Sequence, residues 1–166
     1  MASQPGTPGA SASAGLFAFT ADAVIGFYEG EGLVCGSAEP SGTAAGWSST
    51  TCQGSDPAGR PIVIGVLTDP GGALGAGFAT VTARPEEDLL EPTDALDPLS
   101  GFLGAMLGEE RATDQLPWLA GHLGEEYAET TVGDVTIATY LESPDDSTRI
   151  YLEIDGPAYL AAPAPD

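Results

Sequence analysis

The stretch RPIVIGVLTDPGGALGAGFATVTARP, residues 60–85, constrains the fold more than any other part of the sequence. Its first half is apolar at consecutive positions, a pattern typical of a strand that is buried on both faces. The DPGG that follows favours a tight turn, and a second apolar run comes after it. We therefore predict an antiparallel hairpin in the middle of a sheet.

Two helical patterns precede strand-like runs. In TADAVIGFYEGEGL, residues 20–33, Thr20 suits an N-cap and Val24, Phe27 and Tyr28 recur at helical spacing. In DPLSGFLGAMLG, residues 97–108, Asp97 is predicted as the N-cap and Pro98 as the first helical residue. The apolar face of this second helix comprises Leu99, Phe102, Leu103, Met106 and Leu107.

After the second helix, DQLPWLAGHLG (residues 114–124) predicts a short helix, and residues 125–155 predict three strands separated by Gly133-Asp134 and SPDDS. Each half of the chain thus has a helix followed by strands. This order predicts an α+β fold, an antiparallel sheet with helices packed on one face, in two similar helix-plus-meander halves. RPEEDLLEPTDALDP, residues 84–98, is interpreted as a surface crossover between them.

The ends of the chain differ in composition from the middle. Residues 1–15 contain almost only Gly, Ser, Ala, Pro and Thr, and are predicted to be a flexible leader. We predict one α+β domain over 16–160 and a flexible tail over 161–166. No apolar run is long enough to cross a bilayer. Met1 with such a leader suggests the mature part of a secreted protein.

The charge balance is strongly acidic. The chain has 25 Asp plus Glu against four Arg and no Lys, and its formal net charge is −21. Nucleic acid and anionic membranes depend on Lys and Arg to neutralise phosphate, so both are excluded as partners. The acidity is compatible with solubility outside the cell, salt adaptation, divalent cation binding, attraction to a basic partner or mimicry of DNA.

The two cysteines, Cys35 and Cys52, lie 17 positions apart around a polar segment. No histidine is nearby, so this spacing favours a disulfide between neighbouring strands over a metal site. A redox-active pair would need closer cysteines in a positive environment. The predicted disulfide indicates an oxidising compartment.

Catalytic chemistry has few candidate residues. His122 is the single histidine, four positions after Trp118, and a packed or partly exposed role is expected for it. The chain has neither a Gly-x-Ser-x-Gly elbow nor a phosphate-binding loop followed by a helix. A catalytic pair of carboxylates, as in glycosidases, is not excluded among the 25 acidic residues, but the sequence does not single out any pair. No catalytic residue is predicted.

Two further positions are candidate binding residues. Asp94 and Asp97, downstream of Asp88 and Glu91, offer oxygen ligands to Ca²⁺. Their spacing does not match a calcium loop, and a solvated loop with a helix cap is the alternative. Trp47 lies between the cysteines, where an exposed indole would anchor a ligand or partner. Its alternative role is packing over the disulfide or into the core.

The helix TADAVIGFYEGEGLVC, the Cys–Trp–Cys loop, and LPWLAGHLG leading into TTVGDVTIATYLE together resemble small uncharacterised secreted or lipoprotein domains of high-GC Gram-positive bacteria. The resemblance covers most of the chain after the leader and implies no activity. The order of elements also resembles acidic α+β chaperones of bacterial secretion systems, which are cytosolic and typically lack a disulfide.

These observations predict an extracellular or cell-surface binding module without catalytic activity, which recognises a basic partner protein or an extracellular ligand. One alternative is an extracytoplasmic hydrolase that uses carboxylates, with or without a divalent metal. Its weakness is the shortage of His, Lys and Arg to stabilise a developing anion. Another is a structural component of a surface assembly, or a protein resembling the secretion chaperones.

Overall fold

The computed structural model describes residues 15–87, 89–143 and 147–166. The elements form two blocks along the chain, and each block begins with helix and continues with strands. The first block is α1 (Ala21–Gly30), β1 (Val34–Cys35), β2 (Glu39–Pro40), β3 (Ser48–Ser55), β4 (Pro61–Thr68) and β5 (Leu74–Thr82). The second is α2 (Pro92–Leu107), α3 (Glu109–His122), β6 (Tyr127–Val132), β7 (Val135–Glu142), β8 (Arg149–Asp155) and α4 (Pro157–Leu160).

The described strands form one antiparallel sheet in the order β1-β3-β4-β5-β8-β7-β6, and β2 pairs with β3 beside β1. Each block contributes a three-stranded meander, β3-β4-β5 or β6-β7-β8. The two meanders meet at their last strands, because β5 pairs with β8 over Ala76–Thr82 and Arg149–Asp155. The predicted α+β class, with an antiparallel sheet and packed helices, is therefore confirmed.

The predicted central hairpin is confirmed as β4 and β5. Asp69 shapes its turn, since its Oδ1 accepts hydrogen bonds from the backbone N–H of Gly71 at 2.9 Å and of Ala73 at 3.1 Å. Gly72 in this turn has a φ of 88°, which favours glycine. Alternate residues of β4, such as Ile64 and Val66, are buried beneath the helices.

One main core lies between the sheet and helices α1, α2 and α3. Thr20 caps α1 as predicted, since its Oγ1 accepts a hydrogen bond from the Ala23 N–H at 3.2 Å. The predicted apolar face of the second helix is buried, with Leu99, Phe102 and Leu103 fully enclosed. Phe27 departs from the predicted face of α1, because half of its surface is exposed.

The predicted start of the second helix is wrong. Helix α2 begins at Pro92, and Asp97 is an interior residue of the helix rather than its N-cap. Both Pro92 and Pro98 suit a first turn, but the earlier start also buries Leu90 and Ala95 in the core. Residues 92–98 of the predicted crossover are therefore helical.

Helix α3 likewise starts earlier than predicted, at Glu109. The preceding Gly108, with a φ of 88°, separates it from α2. The Gly133 turn between β6 and β7 has the predicted position. Residues 144–146 of the SPDDS turn, and 1–14 of the predicted leader, lie outside the described residues.

A smaller cluster lies on the other face of the sheet at one end. It comprises Ala44, Trp47, Leu67 and Ala76, with Tyr159 of α4 and Ala162 packed against it. The backbone N–H of Ala45 donates to the carbonyl of Pro163 at 2.8 Å. The segment predicted as a flexible tail thus contacts the domain through Ala162 and Pro163.

Candidate functional site

A groove between the three long helices is the candidate site, and we call it the helical groove. It has a volume of about 830 Å³, within the range of small-molecule sites. Phe19, Ala23 and Phe27 line it from α1 and the residues before it. Gly101 and Gly104 line it from α2, and Ala112 and Leu116 line it from α3.

The helical groove exists because α2 has small residues where a larger side chain would have filled the space. A Cβ atom placed on Gly101 would meet nothing within 4 Å, and one on Gly104 would meet only the Ala112 Cβ at 3.9 Å. Glycine inside a helix destabilises it by about 1 kcal/mol relative to alanine. Close packing does not require either glycine, and both keep the groove open.

The rim of the helical groove combines apolar and acidic groups. Phe19 is 51% exposed and Phe27 is 50% exposed, although aromatic rings are costly to leave in water. The carboxylates of Asp97 and Glu109 also line the groove. Among the described residues, none of those lining it is Lys, Arg or His. The groove therefore favours an apolar ligand without negative charge.

A second cavity of about 530 Å³, which we call the Tyr28 cavity, adjoins the groove. The two cavities share Phe27, Asp97 and Gly101. The Tyr28 cavity extends between the end of α1 and the start of β4, and its other polar lining includes Glu31 and Ser55. It thus lies beside the helical groove, on the side of the sheet.

The hydroxyl of Tyr28 is buried and has no hydrogen-bond partner among the described residues. The side chain is 7% exposed and packs edge-on against Phe27, with ring centroids 5.0 Å apart. Burial, and then the nearby Glu31 carboxylate, raise the pKa of Tyr28 above its ordinary value. The phenol therefore stays protonated and remains a hydrogen-bond donor.

Asp94 and Asp97, predicted as Ca²⁺ ligands, lie one turn apart on α2 but have different surroundings. Asp94 pairs with the guanidinium of Arg60 at 3.4 Å, whereas Asp97 lines both cavities. Among the described residues, no group of three or more His, Cys, Asp or Glu side chains could hold a metal ion.

Arg60 belongs to an ionic cluster that joins the hairpin to the start of α2. Its guanidinium lies 3.1 Å from Glu87, which also pairs with Arg84 at 2.8 Å. Burial alone would raise the pKa of Glu87, but hydrogen bonds from the Arg84 N–H and the Arg60 guanidinium lower it. The hydrogen bond to Glu87 in turn raises the pKa of Arg60, so each member of this pair stabilises the charge of the other and the cluster has a structural role.

Trp47, the predicted ligand-binding residue, is only 5% exposed. Its ring packs edge-on against Tyr159, with centroids 5.3 Å apart, in the small cluster beside α4. In this position the indole packs into the second cluster and is not presented to a ligand. The alternative role for Trp47 was packing over the disulfide or into the core. The structure shows core packing, in the smaller cluster on the sheet face opposite the three long helices.

The predicted disulfide between Cys35 and Cys52 is confirmed. The two residues are direct cross-strand partners in β1 and β3, and Cys52 is fully buried under α1 and the core. The bond therefore ties the two-residue edge strand β1 to the sheet and has a structural role.

His122 lies at the end of α3, away from both cavities. Its Nδ1 is 2.6 Å from a carboxylate oxygen of Glu125, and its ring lies against Trp118 at 5.1 Å between centroids. This surface pairing agrees with the packed or partly exposed role expected from the sequence. It does not bring a nucleophile or a metal ligand set together.

The open face of β6, β7 and β8 has a row of three tyrosines. Tyr140 stacks on Tyr151 at 4.7 Å between centroids, and Tyr127 follows at 6.4 Å. The hydroxyl of Tyr140 donates to Glu153 at 2.6 Å. Nearby, burial and then Glu153 raise the pKa of Asp155 to about 7. The rings face one another, so this row does not form a flat platform for a ligand.

The helical groove was missed at the level of sequence. The available signal was the run of small residues in α2, where Gly101, Gly104 and Ala105 lie opposite the buried face.

Comparisons with protein-family models, curated proteins and solved structures each gave no match to this chain. None of the described helices is long and apolar enough to cross a membrane.

Proposed function

We propose that the protein is an extracellular binding module without catalytic activity, and that the helical groove is its binding site. The observation that carries the proposal is an open apolar groove whose rim has two half-exposed phenylalanines, Phe19 and Phe27. The acidic lining groups and the net charge of −21 favour an uncharged or basic ligand over an anionic one.

The engagement of the four arginines supports binding rather than hydrolysis. Arg60 and Arg84 belong to the ionic cluster, and Arg111 donates to the carbonyls of Leu107 at 2.9 Å and Leu16 at 3.4 Å. Arg149 donates to Thr82 at 3.1 Å and also lies over the ring of Tyr151. Many hydrolytic sites aim a positive group at the developing anion, and these arginines are engaged elsewhere.

The Cys35–Cys52 disulfide supports the extracellular location. Disulfides persist in oxidising compartments and are rare in the cytosol, where thiols are kept reduced. The proposal therefore includes secretion, which the resemblance to lipoprotein domains of high-GC Gram-positive bacteria also implies.

The test is to fill the helical groove with a larger side chain. Gly101→Leu places an apolar side chain in it without a clash at Cβ, whereas the matched Gly121→Leu adds the same side chain to open space on α3 outside both cavities. Both replacements improve helix propensity by about 1 kcal/mol, so both variants are expected to fold.

The measurement is titration with an uncharged, polarity-sensitive dye such as N-phenyl-naphthylamine. We expect saturable fluorescence enhancement with wild type and Gly121→Leu, and a loss of about tenfold or more in affinity with Gly101→Leu, because the added side chain takes the apolar space. Equal binding by all three proteins would overturn the helical groove as the site.

A further inference from the structure

We infer, on the basis of the proposed function, that the partner held in the helical groove is a basic amphipathic helix of another protein. Its apolar stripe faces the groove, and its Lys or Arg side chains meet the acidic rim. Three features of the groove point to this partner, namely its shape, the helical backbone of its walls and the charge of its rim.

One stripe of residues from each of the three long helices shapes the groove. Phe19, Ala23 and Phe27 recur every four residues along α1, with Phe19 just before its start. On α2 the stripe runs from Asp97 to Ala105, which is about 12 Å or two helical turns. A fourth helix lying along the groove would contact it through positions i, i+3 or i+4, and i+7.

The middle of the groove, formed by α2, lets the backbone of a partner approach closely. Gly101 and Gly104 lie there, and a Cβ atom on Gly101 would meet nothing within 4 Å. The distance between packed helix axes depends on the side chains at the contact, and small residues shorten it. The space over Gly101 can therefore receive an apolar side chain from a partner helix.

The helical walls favour a helix over an extended segment as the occupant. Buried backbone N–H and C=O groups need partners, so extended peptides bind where a sheet edge offers them. The groove residues of α2 and α3 belong to helices, whose backbone groups bond within the same helix. A partner helix also bonds its own backbone, and it can bury one face here without leaving such groups unpaired.

Two aromatic rings of the groove have surface available for a partner. Phe19 is 51% exposed and Phe27 is 50% exposed, and both line the α1 side of the groove. Aromatic rings that a partner covers contribute much of the binding free energy of protein interfaces. Apolar side chains of the partner helix would cover these two rings and bury their exposed surface.

The rim favours a basic helix over an acidic one or a second copy of this chain. Asp97 lies in the second turn of α2 and Glu109 follows the end of α2, so their carboxylates flank the α2 stripe at its two ends. Neither has an ion-pair partner among the described residues. Asp22, Glu110 and Asp114 are exposed on the same helices. A second copy, with a net charge of −21, would bring like charges together, whereas Lys and Arg would be attracted.

The probes are three fluorescently labelled peptides of about 14 residues, a length at which an isolated helix is marginal in water. The first contains Leu and Lys in equal number, with Leu at helical spacing. The second has the same pattern with Glu in place of Lys. The third contains the residues of the first in strict alternation, the pattern of a strand.

The measurement is fluorescence anisotropy with the full chain in about 0.1 M NaCl, which screens long-range attraction. We expect saturable one-to-one binding of the first peptide, with a gain of helix by circular dichroism. Binding of the other two is expected to be weaker by about tenfold or more, because one has the wrong charge and the other the wrong spacing.

A first pair of variants locates the bound helix. Gly101→Leu is expected to weaken the helical Leu/Lys peptide by about tenfold or more, because the added side chain takes the space of the partner's apolar stripe. Gly121→Leu, which adds the same side chain on α3 outside the groove, should match wild type. Equal binding by all three proteins would show general attraction to an acidic surface and would overturn the inference.

A second pair tests the rim. The double variant Asp97→Asn, Glu109→Gln is expected to weaken the helical Leu/Lys peptide by roughly threefold to tenfold, since two exposed ion pairs are lost. The double variant Asp134→Asn, Glu126→Gln removes the same charge from exposed positions outside the groove and should match wild type. Equal losses in both double variants would overturn the role of the rim.

The remaining outcomes distinguish this partner from the proposed function. Dye binding that Gly101→Leu removes, together with no preference for the helical Leu/Lys peptide, would overturn the helix and leave the groove as the site. Tightest binding of the alternating peptide would assign the groove to an extended segment. Self-association in sedimentation equilibrium that Gly101→Leu abolishes would assign it to a second copy. Dye binding unchanged in Gly101→Leu would overturn the proposed function itself.

Discussion

At the scale of single residues, Asp155 has a carboxyl group whose titration is altered by the fold. It lies on β8 between Ala76 of β5 and Thr136 of β7, with Glu153 two residues earlier on the same face. Burial and then Glu153 raise its pKa from 3.8 to about 7. Between these values the folded state holds a proton that the unfolded state releases.

The contribution of Asp155 to stability is therefore expected to fall with pH through this window. The folded pKa lies above the unfolded one, so this contribution to the free energy of unfolding is fully present below pH about 4 and is lost as pH rises to about 7. Each pKa unit corresponds to about 1.4 kcal/mol, so Asp155 contributes at most about 4 kcal/mol to this decrease.

Asp155→Asn isolates this contribution. Urea unfolding between pH 4 and 8 is expected to show a shallower slope for this variant than for wild type. Asp134→Asn is the control, because it removes the same charge from the exposed turn between β6 and β7. Equal slopes in wild type and Asp155→Asn would contradict the raised pKa.

At the scale of elements, the disulfide holds the short edge strand β1 on the sheet. Reduction is expected to lower the free energy of unfolding by about 3 kcal/mol, since the bond closes a loop of 17 positions in the unfolded chain. The measurement is the urea midpoint with and without reductant. In a Cys35→Ala, Cys52→Ala double variant the midpoint should be low and insensitive to reductant.

An unchanged midpoint for reduced wild type would show that the bond is dispensable for stability. It would also remove the argument for an oxidising compartment, which depends on a structural disulfide. The secretion-chaperone-like alternative would then regain support, because such proteins typically function without one.

Elements with strong local signals were predictable from the sequence. The β4–β5 hairpin has two apolar runs around DPGG, and α1 has a capping Thr20. The start of α2 was not, because Pro92 and Pro98 satisfy the same local rule and only burial of Leu90 and Ala95 decides between them. Local pattern determines an element's type better than its ends.

The candidate site was harder to predict than the fold. The sequence predicts Asp97 as an oxygen ligand. The structure places it on the helical groove, a position that residue spacing alone does not reveal. The groove depends on how three helices pack around Gly101 and Gly104, which is a tertiary property. For Trp47 the sequence was misleading in the opposite direction. Its polar neighbours in the sequence suggested an exposed indole, but Tyr159, which is distant in the sequence, packs against it.

At the scale of the whole molecule, the net charge of −21 acts on stability and on ligand choice together. Repulsion among surface carboxylates destabilises the compact state, and salt screens it over a Debye length of about 10 Å at 0.1 M. The same field lowers the local concentration of anions at the groove. Added NaCl is therefore expected to raise the melting temperature and to reduce the preference of the groove for cationic over anionic ligands.

Calcium distinguishes a general charge effect from a specific site. Ca²⁺ takes six to eight oxygen ligands, and Asp94 is already paired with Arg60 at 3.4 Å. We therefore expect CaCl2 and MgCl2 at matched ionic strength to raise the melting temperature equally, with full reversal by EDTA and dilution. A larger rise with Ca²⁺, lost in Asp97→Asn but kept in Asp134→Asn, would contradict this expectation and restore Asp94 and Asp97 as a metal site.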